Sequence, residues 1–204
     1  MGVYRDHLLP RIVEATCGIA AVEPHRRRVC SGLRGDVLEI GFGSGLNVPF
    51  YPDAVTRVRA VEPADLAWRL AGKRIARSDV PVERLGLDGQ RLPFPDDEFD
   101  TALVTWSLCT IPDPLAALGE MRRVLRPEGT VHFIEHGLAP DADVRRWQRR
   151  LEPIQKRLAG GCHLTREPVV MLEIAGFAIV EIDEFYQQDA PRPLGALSLG
   201  VARV

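Results

Sequence analysis

The sequence predicts an α/β fold: a doubly wound, seven-stranded, mostly parallel sheet with a reversed last strand. Three observations predict it. Short apolar runs at 36–41, 57–62, 82–87, 99–105 and 129–135 alternate with helix-like stretches, the alternation that builds a parallel sheet. The first run opens into glycines at alternate positions, Gly41, Gly43 and Gly45. The last two apolar runs, 177–185 and 194–204, follow each other without room for a helix, so they pair antiparallel at the sheet edge.

In chain order, residues 1–33 read as helical, with Leu8, Ile12 and Ala15 on one face and Arg26-Arg27-Arg28 exposed. The first two strands follow, then a helix over 64–77. The helix over 113–125 carries its own boundaries. Asp113 can cap it, Pro114 suits its first turn, and Leu115, Leu118, Met121 and Leu125 give one apolar face. Arg126-Pro127-Glu128-Gly129 then turns the chain into the fifth strand. A basic amphipathic helix at 143–158 carries Val144, Trp147, Leu151, Ile154 and Leu158 as its apolar stripe, and Gly160-Gly161 stops it. A short helix at 166–175 ends at Gly176. The organisation is an N-terminal helical segment, 1–33, as a candidate lid, and one catalytic-sized domain, 34–204.

Composition excludes several classes. A hydrophobic fraction of 46% and a charged fraction of 26% suit one soluble domain. A net charge of −2 gives no general attraction to nucleic acid. No apolar run approaches the roughly 20 residues of a membrane span, and the N-terminus lacks the layout of a signal peptide. The four cysteines, Cys17, Cys30, Cys109 and Cys162, form no CxxC pair and sit beside no His-x-x-x-His cluster. That spacing predicts no metal centre and a reducing, cytoplasmic setting.

The glycine loop predicts a nucleoside-containing cofactor at the C-terminal sheet edge, with an acid in the first strand, Glu39, and a second, Glu62, ending the next. Dinucleotide binding needs G-x-G-x-x-G. Counted from Gly41 the sixth residue is Leu46, and counted from Gly43 it is Val48, so the register fails both ways.

Longer phrases favour one cofactor by resemblance. The run Leu87-Asp88-Gly89-Gln90-Arg91-Leu92-Pro93-Phe94-Pro95-Asp96-Asp97-Glu98-Phe99-Asp100 resembles the acidic loop and fourth strand of class I methyltransferases. Glu120-Met121-Arg122-Arg123-Val124-Leu125-Arg126-Pro127-Glu128-Gly129-Thr130 resembles the helix-to-strand junction of that family, the methyltransferase type 11 superfamily. The resemblance implies a Rossmann-like methyltransferase fold, S-adenosylmethionine as methyl donor and S-adenosylhomocysteine as product. It implies that Glu39 and Gly41, Gly43 and Gly45 border the methionine end of the cofactor, with Asn47 supporting the loop. Glu62 takes the ribose hydroxyls, and Pro63 fixes the chain out of the strand. Asp88 accepts from the adenine amino group with the Gly89 backbone beside it, and Thr105 and Trp106 line the pocket.

Acceptor choice belongs to the loops after the fifth strand. Trp106-Ser107-Leu108-Cys109-Thr110-Ile111, Phe133-Ile134-Glu135-His136-Gly137-Leu138-Ala139-Pro140 and Gly160-Gly161-Cys162-His163-Leu164-Thr165-Arg166-Glu167 resemble a narrower branch: the animal proteins that methylate small alkyl thiols, and their bacterial relatives. Two departures stand out: residues 1–33 hold no apolar anchor like that of the animal proteins, and the last strand lacks an aromatic residue near Gly200-Val201-Ala202. The expected reaction is in-line methyl transfer to a small-molecule acceptor, with an apolar thiol as the leading class. A quinone ring carbon or lipid-like amine is the alternative, and a non-catalytic cofactor-binding partner protein is the rival of another class. His136 is the first candidate base or acceptor-orienting group, followed by His163 and then His7. Cys109 and Cys162 read as pocket lining or core. Trp106 reads as a pocket wall, Trp147 as core, and the Arg145, Arg146, Arg149 and Arg150 face as solvated.

Overall fold

The structure is a computed structural model that describes residues 4–85 and 89–204. After a π-helical turn at Tyr4–Leu8 come α1 (Leu9–Cys17) and α2 (Glu23–Cys30). The sheet strands are β1 (Gly35–Ile40), β2 (Val55–Val61), β3 (Val82–Leu85), β4 (Phe99–Thr105), β5 (Leu125–His136), β6 (Ala178–Tyr186) and β7 (Ala196–Arg203). Between them lie α3 (Asp65–Ile75), α4 (Pro114–Val124), α5 (Ala142–Leu158) and α6 (Pro168–Ile174). The seven strands order as β3-β2-β1-β4-β5-β7-β6. β1 to β5 pair in parallel, and β7 runs antiparallel to both β5 and β6. The expected reversed last strand therefore lies inside the sheet, with β6 outside it.

Alternation along each strand feeds two cores. Leu38, Ile40, Ala102, Val104, Val131 and Phe133 face α4 and α6, against Leu118, Met121, Val124 and Leu172. Val37, Val58, Leu103, Ile134, Leu197 and Leu199 face Val29, Cys30 and Leu33 on the other side. Helices on both faces explain why β1 reads as a nearly continuous apolar run. The second helix of the N-terminal segment is thus part of the core.

Asp113 caps α4 by accepting from the Ala116 amide at 3.0 Å, and Pro114 opens the helix. Two expectations shift. The Arg126–Gly129 turn is absorbed into an early start of β5, where Glu128 takes a left-handed φ of +66° and the β4 register slips. Only part of the stripe on α5 faces inward: Val144 is buried and Leu151 packs against Cys109, Cys162 and Leu164. Trp147 is 53% exposed and Ile154 and Leu158 lie as open, while Val144 and Gln148 are buried. Gln148 is the anchor, accepting from the Ala139 amide at 2.9 Å and donating to the Gly137 carbonyl at 3.0 Å. Trp147 instead lies beneath the Arg150 guanidinium.

Candidate active site

The C-terminal ends of β1, β2, β4 and β5 converge on one edge of the sheet. Gly41, Gly43 and Gly45 all have left-handed backbone, with φ of +76°, +59° and +72°, a region glycine enters without a Cβ penalty. Their surroundings differ. A Cβ on Gly41 would overlap Ser107 Oγ and lie 2.6 Å from Ser107 Cβ, whereas one on Gly43 would meet nothing nearer than 4.0 Å. Gly43 is the loop position that faces open space. Its amide donates to Glu62 at 2.7 Å, and the other Glu62 oxygen accepts from the Ala64 amide at 2.7 Å. Burial raises the Glu62 pKa, opposed by these two amides. Pro63 is exposed and leads the chain from β2 toward α3.

Beneath the loop lies a buried polar network. Asn47 donates to Glu39 at 2.9 Å and to Thr105 Oγ1 at 3.0 Å, and accepts from Arg26 at 2.8 Å. Glu39 is fully buried and also accepts from Tyr51 Oη. Burial pushes its pKa up to about 7. Glu39, Asn47 and Thr105 therefore brace the loop from below, with the Glu39 oxygens committed to protein partners. Gly89 sits buried with φ of +77° against Ile40 and Val61. Asp88 lies outside the described residues.

On the β4 side, Trp106 takes a left-handed φ of +48°, uncommon for a bulky residue. Its amide donates to the Ile134 carbonyl at 2.8 Å, and the Arg26 guanidinium lies 4.7 Å over its ring. The next three amides, of Ser107, Leu108 and Cys109, donate to the buried Glu135 carboxylate at 2.7, 3.0 and 3.3 Å. Burial carries the Glu135 pKa to about 7 in spite of them. Arg166 fixes the far end of this loop through the Ile111 carbonyl at 2.8 Å and the Leu108 carbonyl.

A third loop closes over the second. Gly160 and Gly161, with φ of +64° and +99°, reverse the chain after α5. The His163 amide then donates to the Cys109 carbonyl at 2.8 Å. This puts Cys162 Sγ 3.6 Å from His136 Nδ1 at the end of β5, with Cys109 Sγ beside both, all three atoms within 4.8 Å of one another. The Cys162 pKa is drawn down and that of Cys109 is raised, chiefly because one thiol donates to the other sulfur. The His163 ring turns away to Glu152, 3.4 Å from its carboxylate, and burial lowers its pKa. His7 is exposed. Of the histidines considered, His136 is the one the fold brings to the sheet edge beside the β4 loop.

The residues present suit S-adenosylmethionine. The open loop position is faced by a carboxylate, and the neighbouring arginines already have partners: Arg26 with Asn47, Arg74 with Glu14 and the Ser44 carbonyl, and Arg84 with Asp65 and the Glu62 carbonyl. That donor set fits a cation bearing ribose hydroxyls better than a pyrophosphate. Arg26, expected to lie exposed with Arg27 and Arg28, is instead buried against Asn47 and Trp106, and with Tyr51 and Glu135, which sequence reasoning missed, it carries much of the site. The visible signal for Glu135 was an acid inside the apolar run Phe133–His136.

Comparison with known proteins agrees. Residues 38–133 match the family model described as a methyltransferase domain. Thiol S-methyltransferase TMT1B of Homo sapiens is 32% identical over 193 residues, covering 88% of this chain and 76% of the human protein. Its Rattus norvegicus counterpart is 34% identical over 151 residues, and the chain spans 62% of that protein's length. Phosphatidylethanolamine N-methyltransferase of Cereibacter sphaeroides is 32% identical over 145 residues, covering 66% of this chain and 68% of that one. Among solved structures, an S-adenosylmethionine-dependent methyltransferase from Mesorhizobium loti superposes with a TM-score of 0.65 at 21% identity over 91% of this chain and 98% of that one. The [4+2]-cyclase SpnF reaches 0.72 at 18% identity over 89% of this chain and 80% of that one; likeness at such identities speaks for the fold alone. No helix among the described residues is long and apolar enough to cross a membrane. On fold, loop chemistry and relatives together, the chain belongs to the class I S-adenosylmethionine-dependent methyltransferases.

Proposed function

We propose that the protein methylates the sulfur of a small apolar thiol. The observation that carries this reading is the meeting of His136, Cys109 and Cys162 at the end of β5, next to the Trp106–Ile111 loop. The likeness to thiol S-methyltransferase TMT1B supports it. When bound, S-adenosylmethionine supplies a methyl carbon activated by a positively charged sulfur. Glu62 would hold the ribose hydroxyls, Gly43 the open face of the loop, and Asp88 the adenine. His136 orients the acceptor or takes its proton. A thiolate acceptor meeting a sulfonium gives two neutral thioethers, so charge disappears in the reaction. Dry, apolar surroundings favour that change, and Leu164, Cys109 and Cys162 form a buried apolar cluster beside His136.

In the same reading α1 is a lid. A Cβ on Gly18 would lie 3.4 Å from Leu46 in the cofactor loop, and one on Gly160 would lie 2.6 Å from Leu9. The helix therefore spans from the cofactor loop to the Cys162 loop. Glu14 ties it down through Arg74 at 2.7 Å.

A labelled-methyl screen of the purified chain over thiols, amines, quinones and phenols tests the acceptor. Transfer to alkyl thiols is expected. Transfer confined to an amine or a quinone carbon would replace the acceptor, in line with the likeness to phosphatidylethanolamine N-methyltransferase. Tight cofactor binding with no transfer at all would make the chain a non-catalytic partner protein.

A further inference from the structure

Cys109, His136 and Cys162 come from three different elements: the loop after β4, the end of β5 and the loop after α5. Backbone hydrogen bonds hold each in place, and one of them ties the two cysteine loops together. The Cys109 amide is fixed by Glu135 and its carbonyl by the His163 amide. The Cys162 amide donates to the Ala159 carbonyl at 3.1 Å, and His136 ends a strand paired with Leu197 of β7. Both cysteines are buried and His136 is half-buried, so the cluster is approached from the imidazole side.

We propose that these three side chains bind a zinc ion whose fourth position takes the sulfur of the acceptor thiol. The inference rests on the thiol reading above and deepens it. Two sulfurs and one imidazole are a donor set for zinc, and three protein ligands with one position open are the pattern of its reactive sites. Tetrahedral zinc, with bonds of about 2.3 Å to sulfur and about 2.0–2.1 Å to nitrogen, sets a sulfur–nitrogen edge of about 3.6 Å and a sulfur–sulfur edge of about 3.8 Å. The Cys162–His136 separation of 3.6 Å already matches the first edge. Three donors within 4.8 Å of one another need only a small contraction to meet the rest.

The charge count fits the chemistry. Two thiolates and a neutral imidazole cancel the charge of the dication, so an incoming thiolate makes the centre anionic and its sulfur stays nucleophilic. In the exchange the zinc–oxygen bond to a water breaks, the zinc–sulfur bond forms, and the proton of the thiol passes to solvent, so that His136, as a ligand, orients the acceptor rather than taking its proton. Methyl transfer would form the new sulfur–carbon bond as the methyl–sulfonium bond of S-adenosylmethionine breaks, its electron pair leaving on the sulfur of S-adenosylhomocysteine; the methylated acceptor is a neutral thioether, a weaker ligand that departs as water returns.

The full chain, stripped with a chelator and titrated with zinc against a chromophoric competitor, tests the site. One tight equivalent per chain is expected, lost in Cys109→Ser, Cys162→Ser and His136→Gln and kept in Cys17→Ser. Cobalt(II) in the unmodified protein reads the same site without any variant. A sulfur-to-metal charge-transfer band with tetrahedral visible bands is expected, and the visible bands should shift when an alkyl thiol is added. The proposal is overturned by the absence of a stoichiometric ion, by binding that survives loss of both cysteines, by a cobalt spectrum indifferent to thiol, or by a Cys109–Cys162 disulfide in the isolated protein's mass. Thiol methylation by metal-free protein overturns the zinc site and leaves the thiol reading intact. Metal-loaded protein that methylates amines or quinones but no thiol overturns the thiol reading itself.

Discussion

Replacing Gly41 with alanine puts the architecture of the cofactor loop to a quantitative test. Two penalties act there. A φ of +76° strains any residue with a Cβ, at about 1–2 kcal/mol. The new methyl also overlaps Ser107, and overpacking of this kind costs about 1–3 kcal/mol. Gly41→Ala is therefore expected to lose about 2–5 kcal/mol of stability as the sum of those ranges. Gly43→Ala carries the first penalty alone, about 1–2 kcal/mol, because its Cβ meets nothing nearer than 4.0 Å. That methyl instead occupies the face offered to the ligand, so Gly43→Ala should weaken S-adenosylmethionine binding more than its stability loss suggests. Urea unfolding at one fixed pH gives the stabilities, and calorimetry gives the affinities. A double-mutant cycle with Ser107→Gly isolates the overlap, with an expected coupling of about 1–3 kcal/mol. Equal destabilisation by the two alanines, or a coupling below about 0.5 kcal/mol, would refute the reasoning.

Other consequences are as direct. Glu62→Ala should weaken S-adenosylmethionine binding tenfold or more, about 1.4 kcal/mol, and unchanged calorimetric affinity would move the ribose contact elsewhere. His132 is 5% exposed, and burial lowers its pKa from 6.5 to about 4. The unfolded chain therefore binds a proton there that the folded chain refuses, and His132 removes stability as pH falls from about 6.5 toward 4, on the order of 3 kcal/mol. Subtracting the pH–stability curve of His132→Asn from that of the wild type should expose this slope; a flat difference would contradict it. Trp147→Ser should change stability by no more than about 0.5 kcal/mol. Gln148→Ala should cost about 1–3 kcal/mol by leaving buried backbone groups unpaired, and thermal unfolding that reverses this ranking would mean α5 is docked differently.

The sheet was legible because its rules are local. Alternation, the Asp113 cap and the short link between the last two strands each depend on neighbouring residues, and their spans needed only small shifts at the ends. The placement of the glycine loop was legible for the same reason: Gly41, Gly43, Gly45 and Glu62 stand at strand ends that periodicity locates. What escaped was set by tertiary contact. The α5 periodicity marks Trp147, Ile154 and Leu158 as a buried stripe, yet the helix docks through Gln148, because two backbone groups of the 137–139 turn need partners. Arg26 is indistinguishable in sequence from its exposed neighbours Arg27 and Arg28, and only the fold turns it toward Asn47 and Trp106. Cys162 and His136 lie 26 positions apart, and a ligand-spacing rule cannot see a cluster drawn from two loops and a strand end.

Arg26 also divides the N-terminal segment into two parts with different freedoms. Its guanidinium bridges the Asn47 side chain and the Cys17 carbonyl, and α2 is built into the core through Val29 and Cys30. α1 is attached more lightly, by the Glu14–Arg74 pair and contacts at its two ends, with Ile12 and Val13 partly open. If α1 acts as the proposed lid, its pivot lies near Gly18, where α1 ends. Removing residues 1–17 would ask whether a cover is needed, whereas removing residues 1–33 would dismantle the floor of the cofactor loop. A shortened chain that loses activity is informative about gating only if the cut falls before that pivot.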